Sequence, residues 1–459
     1  MMKKTDDRVV LFEQTPIPKA VATLAVPTIL SSLVMVLYNL ADTFWVGMLN
    51  DPIQNAAVTL AAPVLLAFNA VNNLFGVGSS SMMSRALGRK DYETVSRSSA
   101  FGFYCSVFCG ILFSLLCTVF QPQLLQMLGA DPTTIEATRS YLFWTVSCGA
   151  VPAILNVVMA YMVRSEGASM HASIGTMSGC ILNIILDPFF ILPWGLDMGA
   201  GGAGFATFIS NCVACLYFLI LIFVKRGHTY VCINPKKFSL QKDIVSGVCA
   251  VGIPAAIQNL LNVTSMTILN NFSSAYGADA VAAIGICQKI YMVPMYVSQG
   301  ISQGVMPLVS YNYSSENIPR MKHAVSFSRK AALTVIISVA VLFFLFPGFW
   351  VSLFMKNEAI IEYGTHLMRG FCLGLPFLSI DFLAVGVFQA VGMGRESLLF
   401  AILRKIVLEI PALFILNAAV GLYGLAYAQF CAELILATAA ILVLNRLFKR
   451  LEKNNDLSC

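Results

Sequence analysis

Twelve apolar stretches, each long enough to cross a lipid bilayer as a helix, constrain this chain more than any other feature. A spanning helix needs about 20 consecutive apolar residues, and lipid offers its backbone no hydrogen-bond partners. Only 11% of the 459 residues are charged, against about a quarter in a soluble domain. We therefore predict an all-α polytopic membrane protein with 12 transmembrane helices. The predicted spans cover residues 19–49, 54–87, 94–121, 134–164, 169–193, 201–226, 243–275, 279–313, 320–347, 357–391, 396–418 and 422–447.

Basic residues mark one set of helix ends, and both termini belong to that set. An excess of Lys and Arg identifies the cytoplasmic side of a membrane protein, so we predict that both termini are cytoplasmic. The basic ends include Lys3, Lys4, Arg8, Lys19, Arg85, Arg89, Lys90, Arg97, Arg164, Lys225, Arg226, Lys236, Lys237, Lys242, Arg320, Lys322, Arg329, Lys330, Arg395, Arg446, Lys449, Arg450 and Lys453. The opposite loops carry Asp51, Asp131, Asp197, Asp279 and Glu358.

The longest polar connection divides the chain into two similar halves. LAVPTIL at 24–30 recurs as AVGIPAAI at 250–257, and Asp187-Pro188 recurs as Glu409-Ile410-Pro411. Each half has an even number of spans, so both copies share one orientation, which is typical of parallel repeats. The predicted organisation is an N-terminal tail at 1–18, an N-lobe at 19–226, a linker at 227–242, a C-lobe at 243–447 and a C-terminal tail at 448–459.

Two carboxylates lie inside predicted spans of the N-lobe at matching depths. Asp42 is seven residues, and Asp187 six, from the end of its span, which places each roughly 9–10 Å inside the same membrane face at 1.5 Å per residue. An ionisable residue within a span is costly and by default marks an ion or proton pathway. The alternative is a protonated, purely structural carboxyl. Because the N-lobe interior contains no base, we predict that the pair binds the coupling ion.

Polar residues of neighbouring spans reach the same level. Asn183 precedes Asp187 by one helical turn, and Thr207 and Tyr141 lie six and seven residues inside spans that start on the same side. Carboxylate, amide and hydroxyl oxygens suit a proton relay or a hard cation such as sodium. The predicted coupling site therefore contains Asp42, Asp187, Asn183, Thr207 and Tyr141.

The C-lobe spans contain both acids and bases. Lys405 and Glu409 are four residues apart, a spacing that allows them to pair on one helix face. A structural ion-pair network and a functional contribution are both open for this set. The possible C-lobe contributors are Asp381, Glu409, Lys405 and Lys289, with Arg404 and Glu433 nearby in the same spans.

The 13 cysteines and four histidines show no spacing typical of a metal site or a disulfide framework. We therefore predict no cofactor and no structural metal. Met side chains adapt to irregular shapes and suit a pocket for varied apolar ligands, although core packing is the alternative for each. The candidate drug-cavity residues are Met35, Asn39, Asn156, Met159, Asn259, Met266, Met292 and Met295.

Three segments carry a family resemblance: YNLADTFWVG at 38–47, GSSSMMSRALGRKD at 78–91 and NIILDP at 183–188. In this order, within two sets of six spans, the chain resembles the multidrug and toxic compound extrusion (MATE) transporters from Pro27 to Arg446. The pattern looks closest to the bacterial MepA-like branch. The resemblance implies a two-lobed MATE/MOP-type fold in the bacterial cytoplasmic membrane. It also implies alternating access and export of organic cations driven by inward proton or sodium movement.

The resemblance also implies a cation site. In proton- and sodium-linked members, a first-helix Asp and a fifth-helix Asn-x-x-x-Asp form this site, and they match Asp42, Asn183 and Asp187. Some members place a key acid well inside helix seven, where this chain offers Gln258, Asn259, Asn262, Asn270 and Asn271. That departure disfavours a C-lobe cation site of the same type, while Asp381 in helix ten remains a candidate.

We predict a secondary antiporter and not an enzyme. It would export amphipathic organic cations or drugs in exchange for H+ or Na+, as a monomer whose partners are these small molecules and the lipid bilayer, with no nucleic acid. A flippase for lipid-linked saccharides is the alternative, and it would need cations in its cleft to meet pyrophosphate. A lipid-modifying enzyme would need a metal-binding acid cluster or a nucleophile–base pair, and a passive channel a selectivity filter. The acidic N-lobe interior favours the antiporter.

Overall fold

Helices and loops make up the described part of the protein. The computed structural model describes residues 7–49 and 51–456, and these contain no strand. The first six residues of the predicted N-terminal tail, with Lys3 and Lys4, lie outside the described residues, as do Asn50 and residues 457–459. The predicted all-α fold class is confirmed.

The first half of the chain forms ten α-helices and two π-helical segments. In chain order the α-helices are α1 Asp7–Glu13, α2 Ile17–Gly47, α3 Pro52–Asn72, α4 Gly78–Gly88, α5 Tyr92–Val119, α6 Gln121–Met127, α7 Ile135–Leu142, α8 Ala150–Ser165, α9 Ser169–Ile191 and α10 Gly199–Val224. The π-helical segments are Asn73–Val77, between α3 and α4, and Phe143–Cys148, before α8.

The second half follows a linker that contains a short 3-10 helix, Pro235–Lys237. Its helices are α11 Lys242–Ser274, α12 Ala278–Ser314, α13 Ile318–Leu345, α14 Pro347–Ser352, α15 Glu358–Val391, α16 Gly394–Ile402, α17 Ile410–Val420 and α18 Leu422–Asp456. A π-helical segment, Leu403–Glu409, joins α16 to α17. A π-turn closes over one more residue than an α-turn, and such turns often occur at functional sites.

Within the described residues, ten helical stretches are long and apolar enough to cross a membrane. An eleventh is formed by Ile135–Cys148 and Ala150–Ser165, which meet at an angle of 52°. The predicted span at 396–418 is the exception, because it is divided among α16, the π-helical segment and α17, each shorter than a span. The chain is therefore a multi-pass membrane protein. The interruption falls where Arg404, Lys405 and Glu409 are buried.

The described chain separates into two compact units. Leu33–Ala256 form one, here called the central unit, and the residues up to Ser32 together with those from Ile257 onward form the other, the flanking unit. The boundaries fall inside α2 and α11, so each of these helices contributes to both units. The assignment of the lobes to residues 19–226 and 243–447 stays a prediction.

Side-chain caps begin several helices on the side predicted to be external. Asp51 accepts a hydrogen bond from the Ile53 amide at 2.9 Å, and Asn357 accepts one from the Ala359 amide at 3.0 Å. In the turn that precedes α7, Asp131 accepts bonds from Thr133 and Thr134, which stabilise that turn and lower the pKa of Asp131 to about 2. Because a side chain that caps a helix satisfies its orphan amides, capping is a second reason for acids in these loops.

Candidate ion-coupling site

Helix α9 supplies the buried polar pair of the site. Asn183 and Asp187 are one turn apart on a common face, and their exposed fractions are 1% and 0%. With its amide oriented to satisfy both neighbours, Asn183 donates through its side-chain nitrogen to Asp187 Oδ2 at 2.9 Å. Its side-chain oxygen then accepts from Thr207 Oγ1 at 3.3 Å. The hydrogen-bond network, which fixes such amides, links α9 to α10.

Glycines at the start of α10 allow this contact. A Cβ atom on Gly202 would collide with the carbonyl oxygen of Phe190 on α9, and one on Gly204 would lie 2.9 Å from the carbonyl oxygen of Tyr141 on α7. Only a residue without a side chain permits such close backbone approach. The GGAGFAT motif therefore brings α10 against α7 and α9, with Thr207 at its end facing Asn183.

Helix α2 brings Asp42 and Tyr38 to the same group. The Tyr38 hydroxyl forms a hydrogen bond with Thr207, and Tyr38 lies within electrostatic range of Asp42 and Asp187. Sequence reasoning missed Tyr38. The sequence could have indicated Tyr38 as a site residue, because it precedes Asp42 by four residues and residues at this spacing share a helix face.

Asp42 has a buried oxygen without a partner. Its Oδ1 atom is inaccessible to solvent and accepts no hydrogen bond from any described residue. Asp42 and Asp187 are close enough for their charges to interact, and neither pairs with a basic side chain in the described part of the chain. Burying a charge without a partner is costly, so the site favours occupation by a proton or a small cation.

Tyr141 completes the predicted set. It is buried on α7 and lies within electrostatic range of Asp42, Tyr38 and Asp187. The structure thus brings all five predicted coupling residues together within the central unit and adds Tyr38. The group offers carboxylate, amide, hydroxyl and phenol oxygens. No group of three or more His, Cys, Asp or Glu side chains suited to a metal ion occurs among residues 7–49 and 51–456.

The C-lobe candidates belong to the flanking unit, and three of the four form ion pairs there, although neither Asp381 oxygen accepts a hydrogen bond from a described residue. Lys405 Nζ donates to Glu409 Oε2 at 2.6 Å, as the four-residue spacing predicted, and Ser265 donates to the other Glu409 oxygen. Arg404 contacts Glu433 at 2.7 Å and Asp381 at 3.5 Å. All five charged side chains are less than 10% exposed. Three helices, α15, α18 and the π-helical segment, are therefore joined by buried ion pairs.

Lys289 stands apart from this network. It is half-buried on α12 and forms no ion pair with a described residue.

Within the network, Arg404 also lies over the Phe382 ring, 4.9 Å from its centroid. The interior of the flanking unit is thus cross-linked by its own cations.

The candidate drug-cavity residues fall in both units. Within the central unit, Met159 is fully buried, Asn156 donates to Asn211 at 2.9 Å, and Asn39 donates to the carbonyl oxygen of Met35 at 2.9 Å. In the flanking unit, Met266 is 49% exposed. The other three are half-buried: Asn259, Met292 and Met295. Their role in a drug cavity stays a prediction.

Curated and structural relatives identify the family. The MatE family model matches residues 27–189 and 254–415, two segments that begin at the prolines paired by the internal repeat. The chain is 34% identical over 453 residues to the multidrug export protein MepA of Staphylococcus aureus, covering 97% of each chain. It is 31% identical over 446 residues to the protein of that name from Staphylococcus saprophyticus, again covering 97% of each.

Solved structures agree with these relatives. The outward-facing conformation of a multidrug resistance MATE family transporter of the MOP superfamily superimposes with a TM-score of 0.92 at 26% identity, covering 98% of this chain and 100% of that one. A MOP superfamily transporter from Pyrococcus furiosus, described as having a binding pocket of reverse polarity, matches with a TM-score of 0.90 at 26% identity and the same coverage. The chain belongs to the MATE family of transporters.

Proposed function

We propose that this protein is a secondary multidrug efflux antiporter that exports amphipathic organic cations in exchange for protons or sodium. The names of its MepA relatives support drugs as the substrate class. The basic helix ends support a location in the bacterial cytoplasmic membrane with both termini inside. Relatives that are named as transporters fit a role without catalysis.

The observation that carries the proposal is the uncompensated acid pair of the central unit. Asp42 and Asp187 interact with each other, and Asp42 Oδ1 has no hydrogen-bond partner among the described residues. Two interacting buried carboxylates without a basic partner favour the binding of a proton or a small cation. The hydroxyl and amide groups of Tyr38, Asn183 and Thr207 can hold either one.

In the proposed cycle, the site takes up its ion from outside while the protein faces outward. Alternating access then exposes it to the cytoplasm, where the ion leaves. An antiporter couples these steps if the ion and the drug favour different conformations, because a ligand shifts an equilibrium only by its differential affinity. The two carboxylates are the groups that this mechanism requires.

Transport by the purified protein in liposomes tests the proposal. A pH gradient and a sodium gradient are imposed separately, and export of a fluorescent organic cation is measured. We expect one gradient to drive export by the native protein and by Asp197→Asn, a matched control that removes an exposed carboxylate. Asp42→Asn and Asp187→Asn should abolish gradient-driven export. If both variants fold and export at the native rate, the mechanism is wrong.

The flippase alternative has less support. Pyrophosphate would require several free cations, whereas Arg404 and Lys405 are each bound to carboxylates and Lys289 is left as a single cation without an ion pair among the described residues. A thermal-shift comparison between cationic dyes and lipid-linked saccharides distinguishes the two functions. Stabilisation by the saccharides alone would favour the flippase.

A further inference from the structure

Hydrogen bonds hold the linker between the two sets of spans against other residues of the central unit. The amide of Tyr230 donates to Glu166 at 2.6 Å, and the amide of Cys232 donates to the Ser99 hydroxyl at 3.0 Å. The Tyr104 hydroxyl donates to the carbonyl oxygen of Ile233 at 2.7 Å. The linker, residues 227–242, is therefore ordered and its side chains have defined positions; it is called the strap below.

A cavity of about 380 Å³ lies between this strap and the start of α5. Its lining residues are Glu93, Arg97, Lys236, Lys237, Phe238, Ser239 and Gln241. Glu93 is the one carboxylate of this lining, and it is neutralised by Arg97 at 2.8 Å and Lys237 at 2.6 Å. Lys236 is exposed and forms no side-chain hydrogen bond or ion pair with a described residue. The lining thus has three cations, one acid and an excess positive charge.

The cavity lies at the level of the membrane surface. Helix α5 has 28 residues and is roughly 42 Å long at 1.5 Å per residue, whereas the hydrocarbon core is about 30 Å thick. Roughly eight residues therefore extend beyond the core, and the polar start of α5 belongs to the basic end that is predicted to be cytoplasmic. The Phe238 ring stacks on the Phe101 ring close to this end, with the two centroids 6.2 Å apart.

Apolar side chains of the strap are exposed next to the cations. Phe238 is 38% exposed and Leu240 is 69% exposed. Exposed apolar groups beside Lys and Arg at the headgroup level are typical of segments that bind anionic lipid surfaces. A free phosphate ion would use the cations but would leave these apolar groups without a partner.

We propose that this cavity binds the phosphodiester headgroup of an anionic membrane phospholipid. Lys236 contacts the phosphate, and Leu240 inserts among the acyl chains. The site is separate from the coupling carboxylates and does not depend on the proposed antiport.

Native mass spectrometry of the full-length protein in mild detergent tests this site, with phosphatidylglycerol and phosphatidylcholine as probes. We expect Lys236→Gln to weaken phosphatidylglycerol binding about fivefold, the contribution of roughly one cation at an anionic membrane surface. Phosphatidylcholine binding should not change. Lys242→Gln is the matched control, because Lys242 is exposed nearby but does not line the cavity. Equal binding by the native protein and Lys236→Gln, or an equal loss in Lys242→Gln, would overturn the proposal.

Two further measurements distinguish a phospholipid headgroup from free inorganic phosphate. Leu240→Ser should weaken binding of phosphatidylglycerol, and an unchanged affinity would contradict insertion into the bilayer. Millimolar inorganic phosphate should fail to displace the lipid. If phosphate displaces it and also protects the native protein, but not Lys236→Gln, from thermal unfolding, the site takes free phosphate and the lipid assignment is wrong.

Discussion

The two units of this protein treat buried carboxylates in opposite ways. In the central unit, Asp42 and Asp187 interact with one another and have no basic partner among the described residues. In the flanking unit, Glu409 and Glu433 are bound by Lys405 and Arg404 at 2.6 and 2.7 Å. Internal cations cross-link the second set, whereas the proposed function assigns an external ion to the first set.

The largest expected effect is a loss of transport without a loss of stability, in a variant of the central unit. Asp187→Asn should abolish gradient-driven export while the unfolding temperature stays the same or rises, because a buried charge that repels Asp42 is removed. Proteoliposome export and thermal unfolding of the same preparation check this. A large drop in unfolding temperature would instead make Asp187 a structural residue, like those of the flanking unit.

The flanking unit should respond in the reverse order. Arg404→Met leaves Asp381 and Glu433 buried without their cation, a change that costs about 3–5 kcal/mol when one partner of a buried pair is removed. Thermal or denaturant unfolding measures the loss. Adding Glu433→Gln to the same variant should restore much of the stability. If the double variant is no more stable than the single one, the ion pair is not the cause.

The glycine contacts of α10 provide a third test of the difference between the units. Gly202→Ala should destabilise the central unit by about 1–3 kcal/mol, the usual cost of overpacking, because the new Cβ collides with the carbonyl oxygen of Phe190. The repeat places Leu422 at the corresponding position of the second half, where a large side chain is accommodated and buried. Export that survives unchanged in Gly202→Ala would show that the close approach is dispensable.

Tyr38 should have a moderate effect on transport. Tyr38→Phe removes the hydrogen bond to Thr207, worth about 1 kcal/mol net, or about a fivefold change in affinity for the coupling ion. The dependence of export on the driving ion concentration measures that shift. Tyr427→Phe, on the exposed side of α18, is the control, and an equal shift in both variants would exclude a specific role for Tyr38.

The smallest effect concerns the helix caps. The pKa of Asp131 is lowered to about 2, so its contribution to stability is complete above about pH 4, the ordinary carboxyl range. The contribution is lost as the pH falls toward 2. The Asp131→Ala variant should therefore melt slightly below the native protein at neutral pH, and the gap should close on acidification. The gap for Asn357→Ala, which removes an uncharged cap, should not depend on pH.

Much of the coupling site could be predicted from the sequence. An acid inside an apolar stretch is visible by itself, and span ends give its depth, so Asp42, Asn183, Asp187, Thr207 and Tyr141 could all be named as candidates, and their role in coupling stays a prediction. Their convergence could not be read from depth, because depth does not fix which way a helix face points.

The missed features have physical reasons too. A tyrosine in a span is more often packing than function, and this hid Tyr38. The interruption of the span at 396–418 contains Arg404, whose buried partners lie on α15 and α18, far away in the sequence. The mixed membership of α2 and α11 in the two units follows from packing that crosses the repeat boundary.

The π-helical segment Leu403–Glu409 suggests how the two halves diverged. In the first half Pro188 follows Asp187 directly, whereas Ile410 separates Glu409 from Pro411, one residue more in the copy with the wider turn. A single inserted residue rotates everything beyond it by about 100° relative to what precedes it. Deleting Ile406 should restore an α-helical register and turn Arg404 away from Glu433. The half with the extra residue is thus also the half whose buried acids are paired with internal cations.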